Sequence, residues 1–269
     1  MKRFLKKIIL FCLLFFSFAT VSFFTYLNAN KYSVPVLMYH YVGEPDHILN
    51  HRLFIKPEVF ERQMRFLKEH NYNVISLGEY VKALKDRAPL PRNTVVLTFD
   101  DGHRSLFKYV FGILKKYQLP ATFFVIVSKL DKEGWLTSEE LRKLSESELI
   151  TIGSHTISHL HLPSITDKQR LRSEIIDSKI MLERIINKKV DYFSYPIGGF
   201  NEEIRKIVIE AGYAGAVATS PGWDYPNNDP YAIKRIRISN NSNNLLIFYI
   251  ELSGLYKPIL ELRKKYFHE

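Results

Sequence analysis

Cysteine is almost missing from this 269-residue chain: the only one, Cys12, lies inside an uncharged apolar run. The chain beyond that run has no thiol, which excludes a disulfide framework and thiolate metal ligands there. Any metal site must be assembled from histidine and carboxylate. Acid is missing from the first thirty residues, where Lys2, Arg3, Lys6 and Lys7 supply four of the net +10 charges and leave +6 for the remainder. A long basic tract is also lacking. Arg263-Lys264-Lys265 is short, lies among Leu262, Tyr266 and Phe267, and reads as a solvated helix face, so no nucleic-acid partner is expected. Internal repeats and low-complexity linkers are absent, which makes one domain from about residue 31 to 269 the simplest organisation.

What is present begins with residues 8–27, IILFCLLFFSFATVSFFTYL. The run is about as long as a membrane-spanning helix requires. Basic residues ahead of it favour a cytoplasmic N-terminus and place the chain from about residue 30 outside. Residues 1–30 therefore read as a single-pass membrane anchor or as a signal peptide, with Ser17-Phe18-Ala19 as a passable cleavage site; cleavage would leave the domain secreted. Hydrophobic residues make up 46% of the chain, enough for the core of one large domain.

Strand-like apolar runs recur at 35–39, 73–77, 94–99, 121–127, 149–153, 191–195, 214–218 and 233–238. Helical patterns separate most of them. Phe60, Met64 and Leu67 share one face of a helix over 57–70, with Pro57 in its first turn. Thr137 to Glu140 and Thr166 to Gln169 both fit a capping box. The second opens a helix whose apolar face carries Leu171, Ile175, Leu182 and Ile186. Asn201 caps a helix ending near Ala211, and Gly212 suits its stop. Strand and helix in alternation predict a parallel sheet. The expected fold is α/β, an irregular (β/α) barrel of about seven or eight parallel strands, with its chemistry at the C-terminal strand ends.

Two stretches carry that chemistry. Asp100 and Asp101, in TFDDGHRS, stand side by side after the strand at 94–99; two like charges repel and each is costly to desolvate, so the pair is either solvated or serves a cation. His155 and His159, in TIGSHTISHLHL, follow another strand. Their spacing places both imidazoles on one face of a helical turn. His161, two residues on, cannot share that face with His159 and reads as a surface or packing residue. Two histidines and one carboxylate leave open positions for water and substrate, the pattern of a hydrolytic zinc site, and the second aspartate is then free to act as general base.

Thr98-Phe99-Asp100-Asp101-Gly102 together with Ser154-His155-Thr156-x-x-His159 resembles the polysaccharide deacetylases, the NodB-homology enzymes of carbohydrate esterase family four. The likeness extends upstream through Pro35-Val36-Leu37-Met38-Tyr39-His40, Phe60 to Met64 and Tyr72 to Leu77. That is the style of the subgroup that includes deacetylases of poly-β-1,6-N-acetylglucosamine. Nearly all of the chain after residue 30 is covered, with the homologous core over about 92–269. The resemblance implies that Asp101, His155 and His159 hold one divalent metal, zinc or else cobalt, nickel or iron. It implies Asp100 as general base and His40 as general acid; read without it, His40 is a core histidine after an apolar strand. TyrPheSerTyrProIleGlyGly, residues 192–199, resembles the family's Arg-Pro-Pro-Tyr-Gly motif, with Ser194 at the arginine position and Ile197 at the tyrosine position. The Ile197 backbone N–H can still face an oxyanion. Ser194 cannot orient the base as arginine does. Arg235 either fills that role or is a surface arginine on the last strand. Trp223 either lines a sugar-binding wall or packs.

The implied reaction is metal-dependent removal of N-acetyl groups from N-acetylglucosamine residues of an extracytoplasmic, cell-envelope polysaccharide, releasing acetate. Peptidoglycan or chitin oligomers are alternative substrates, and a catalytically silent carbohydrate-binding or assembly protein is the alternative class.

Overall fold

A computed structural model describes residues 15–18, 33–44, 51–219 and 229–254. Trp223, Cys12, the basic run at 263–265 and most of the apolar run at 8–27 lie outside them. Among the described residues no helix is long and apolar enough to cross a membrane.

In chain order the elements that build the site are β1 (Val36–Tyr39), β2 (Tyr41–Val42), β3 (Phe54–Ile55), α1 (Pro57–Glu69), β4 (Asn73–Ile75), α2 (Leu77–Asp86), β5 (Thr94–Phe99), α3 (Phe111–Tyr117), β6 (Ala121–Val125), α4 (Ser138–Glu146) and β7 (Ile150–Ser154). They continue as α5 (Lys168–Ile186), β8 (Tyr192–Ser194), α6 (Glu202–Glu210), β9 (Gly215–Ala218), β10 (Ile233–Lys234) and β11 (Ile236–Arg237). All eight expected strand runs are present, with ends shifted by one or two residues. The last is broken: β10 pairs with β9 through Ile233↔Val217, and β11 pairs with β1 through Leu37↔Ile236. Arg235, between the two pieces, still donates its backbone N–H to the Ala218 carbonyl at 3.1 Å. The break lets one short segment change partners and close the parallel sheet, in the order β1-β5-β6-β7-β8-β9-β10/β11, with β4 paired to the start of β5. The architecture is a nearly closed α/β barrel of parallel strands.

Strand alternation layers the interior, because successive side chains point to opposite faces. Val36, Val96, Phe124, Val217 and Ile233 fill the lower barrel. Leu77, Tyr80 and Val81 of α2 pack into the same cluster and plug that end. Gly153 is required there: a Cβ would meet the Phe124 ring at 2.4 Å. Two residues above Val96 on the same face comes Thr98, and two further on Asp100. The outward side of β5 carries Phe99, which joins Tyr39, Phe60 and Phe123 in an aromatic cluster. One strand thus supplies aromatic core on its outward side and, on its inward side, a column that runs from buried Val96 through Thr98 to Asp100 at the mouth.

Helix starts follow local chemistry with one correction. Thr137 and Glu140 form the expected capping box on α4, and Asn201 caps α6. On α5 the cap is Asp167 rather than Thr166; its carboxylate accepts from the Gln169 and Arg170 N–H groups. An ionised acceptor at a helix start outcompetes a hydroxyl one residue earlier.

Candidate active site

The chain turns sharply at the mouth of β5. Asp101 and Gly102 both adopt left-handed backbone, with φ of 77° and 80°. Such a turn swings Asp101 away from the direction that simple alternation would give it. The two carboxylates therefore end in different surroundings although they are neighbours in sequence.

Asp100 points into the barrel and is 2% exposed. Arg235, wholly buried, grips it with Nη1 on Oδ1 at 2.7 Å and Nη2 on Oδ2 at 2.6 Å. The same guanidinium donates to the Thr98 hydroxyl at 3.1 Å and to the Ser194 hydroxyl at 3.0 Å. Burial alone would raise the Asp100 pKa, but the charge of Arg235, with His155 behind it, outweighs burial and holds the carboxyl well below the usual range. Arg235 is thus no surface arginine. It reaches Asp100 from the last strand, beside the Ser194 hydroxyl.

Asp101 faces the opening. Its Oδ2 accepts a hydrogen bond from the Tyr41 hydroxyl. Its Oδ1 lies 3.6 Å from His155 Nε2 and 3.7 Å from His159 Nε2. The three groups form the potential metal cluster found among the described residues. His155 Nδ1 lies 2.8 Å from the Ser194 carbonyl; a carbonyl only accepts, so that nitrogen carries the proton and Nε2 presents its lone pair. Burial lowers the His155 pKa against the pull of both aspartates, favouring the neutral ligand form. Two oxygen or nitrogen ligands on a tetrahedral zinc at about 2.1 Å stand roughly 3.3 to 3.5 Å apart. The observed separations are slightly wider, and too long for strong hydrogen bonds. The donor set fits a divalent ion.

The two imidazoles do not converge through a helix. Residues 155–160 form an irregular loop, with Thr156 and His159 at φ of 67° and 60°. Spacing of four suggested a helical turn; the side chains meet instead because two left-handed residues fold the loop back. His161 is exposed and packs beside Gly199, outside the cluster.

His40 and Ile197 line the same cleft of about 390 Å³ as Asp100, Asp101, His155 and His159. His40 follows β1 on its inward face. Its Nδ1 is buried with no hydrogen-bond partner among the described residues, and burial lowers its pKa despite the nearby aspartates. Ile197 adopts left-handed backbone, φ 59°, and the residue is 69% exposed. That exposure fits a residue whose contribution is its backbone rather than its packing.

Sequence reasoning missed Tyr41 and Glu174. Tyr41 belongs to the two-residue β2, paired with β3, too short for a periodic signal. Glu174 interrupts the apolar face of α5 and is 5% exposed; a charge on an otherwise buried stripe was the available cue.

The family described as polysaccharide deacetylase matches residues 87–216. The protein YxkH of Bacillus subtilis strain 168, named as a polysaccharide deacetylase, is 32% identical over 206 residues, spanning 77% of this chain and 71% of its own. A poly-β-1,6-N-acetyl-D-glucosamine N-deacetylase of Staphylococcus aureus strain N315 is 25% identical over 245 residues, covering 82% of this chain and 84% of the relative. Among solved structures, the Streptococcus pyogenes deacetylase PplD in complex with acetate superposes with a TM-score of 0.71 at 28% identity, over 80% of this chain and 96% of that one.

Proposed function

Because the chain belongs to the polysaccharide deacetylase family, we propose that it removes N-acetyl groups from N-acetylglucosamine residues of an extracytoplasmic polysaccharide, using one divalent ion held by Asp101, His155 and His159. The observation that carries this reading is the division of labour between the carboxylates. Asp101 Oδ1 stands 3.6 and 3.7 Å from two imidazole nitrogens, while Asp100 is clamped by Arg235. Bound there, the ion, zinc by preference for this donor set, supplies Lewis acidity and makes a water easier to deprotonate. Asp100, kept ionised by Arg235, accepts the water's proton. The Ile197 N–H faces the oxygen that gains charge as the acetamide carbon becomes tetrahedral. His40, on the same cleft, then gives a proton to the leaving amine; afterwards His40 regains a proton from solvent and Asp100 releases the one it took from water, so the cycle closes. Acetate and a free amine result, and the polymer gains positive charge.

A poly-N-acetylglucosamine substrate is supported by the Staphylococcus aureus relative. An extracytoplasmic location, through a membrane anchor or a cleaved signal, is supported by the basic start and the apolar run at 8–27. The test is acetate release from β-1,6-linked N-acetylglucosamine oligomers, with β-1,4-linked oligomers and peptidoglycan fragments alongside, each with and without chelator. Chelator-sensitive release, fastest on the β-1,6 oligomers, is expected. No release on any substrate with any divalent metal would overturn the enzyme reading, and release unaffected by chelator would overturn the metal reading.

A further inference from the structure

The loop that delivers His155 and His159 has no secondary structure of its own and contains two left-handed residues that are not glycine. Something outside it must hold it. The four N–H groups from Thr156 to His159 all have partners. Thr156 N–H donates to the Ser154 hydroxyl at 3.3 Å and His159 N–H to the Thr156 hydroxyl at 2.9 Å. The two between them, Ile157 and Ser158, donate to Glu174 Oε2 at 3.0 and 2.9 Å. The Ser158 hydroxyl donates to Glu174 Oε1.

Glu174 lies on α5, one turn from Ser178. The Ser178 hydroxyl donates to the Ile175 carbonyl at 2.9 Å, so it accepts from the Ser154 hydroxyl, 2.7 Å away. From the other side, Val127 and Ser128 donate their N–H groups to the Thr156 and Ile157 carbonyls at 3.1 and 2.9 Å. One helix therefore grips the chain just before the loop and in its middle, and the charged grip is a carboxylate receiving three bonds from Ile157 and Ser158. Successive N–H groups converging on one oxygen form an anion-binding concavity, here filled by a side chain.

We propose that Glu174 is a positioning residue for the metal centre: it fixes the loop so that both imidazole nitrogens face Asp101 before an ion arrives. It touches neither substrate nor metal. The inference rests on the reading of Asp101, His155 and His159 as ligands. Partners that orient metal ligands from outside typically change metal affinity by about 10- to 100-fold when altered. Glutamine at position 174 keeps the volume but loses the negative charge, and leaves one acceptor oxygen, with a donor in place of the other that the Ser158 hydroxyl must turn to accept from.

The test is the zinc dissociation constant of the full chain, measured without substrate by competition with a zinc-sensitive dye. Four proteins are compared: wild type, Glu174→Gln, Ser158→Ala and Leu182→Ala. Leu182 is buried on the same helix, away from the loop's hydrogen bonds, and reports general weakening of α5. Glu174→Gln should bind zinc about tenfold more weakly, Ser158→Ala more weakly by a smaller factor, and Leu182→Ala like wild type despite a lower melting temperature. Equal affinity in wild type and Glu174→Gln, or an equal loss in Leu182→Ala, would overturn the proposal. Should Glu174→Gln fail to fold, unchanged affinity in Ser158→Ala overturns it. A wild type that binds no zinc would sink the ligand reading and this inference together, whereas tight wild-type binding without deacetylation leaves the inference standing and removes only the reaction.

Discussion

Asp100 and Asp101 are adjacent in the chain and opposite in circumstance. Below, Asp100 is part of a closed set: both its oxygens are taken by Arg235, which also reaches Thr98 and Ser194. Above, Asp101 is part of an open one: Tyr41 satisfies one oxygen, and the other faces two imidazole nitrogens at 3.6 and 3.7 Å. The lower group has its cation built in. The upper group has three potential ligand atoms close together, the arrangement that the proposed function fills with a cation from outside. Ser194 joins the two halves, with its hydroxyl on Arg235 and its carbonyl on His155.

The largest effect is expected in the open half. Asp101→Asn weakens the charge that holds the ion, and acetate release should fall on the order of a thousandfold or more, as expected when several kcal/mol of metal assistance are lost. A loss below tenfold would mean that Asp101 is no ligand. Asp100→Asn attacks the closed half. Activity should fall about a hundred- to ten-thousand-fold, the usual range for a general base. It should also destabilise the fold by about 3–5 kcal/mol, because Arg235 is left buried without its partner; chemical denaturation of both variants would show whether only the Asp100 change carries that cost.

A subtler test separates orientation from charge. Arg235→Gln removes the positive neighbour and leaves burial, which raises the Asp100 pKa. With Asp100 as the proposed base, activity needs its ionised form, so the acid limb of kcat/KM should move to higher pH by roughly one to three units. An unmoved limb would show that Arg235 does not set the charge of the base. The smallest effect is expected at the rim of the open half. Tyr41→Phe frees one Asp101 oxygen without removing a ligand and should weaken zinc affinity by about tenfold, read by dye competition; unchanged affinity would leave Tyr41 as packing only.

The closed and open halves were not equally legible in the sequence. The strands and most helix caps follow from period-two apolar runs and capping residues, so the barrel could be read ahead of its coordinates. Asp100, Asp101, His155 and His159 stood out because charge and imidazole at strand ends conflict with burial. Arg235 was ambiguous, since one cation on a short final strand looks alike whether inside or out; its burial depends on a strand break that closes the barrel. Tyr41 and Glu174 act through contacts 60 and 16 to 17 residues away in sequence, which no local pattern encodes. The helical turn expected at His155 to His159 failed for the same reason: the loop's shape is imposed by α5 and the neighbouring loop rather than by its own propensity.

The most direct measurement is zinc content per chain for Asp101→Asn and Asp100→Asn, prepared and dialysed side by side with wild type. One ion per chain in wild type and in Asp100→Asn, with none in Asp101→Asn, is the predicted result. Loss of the ion from both variants, or its retention in both, would contradict the assignment of one carboxylate to the metal and the other to the proton.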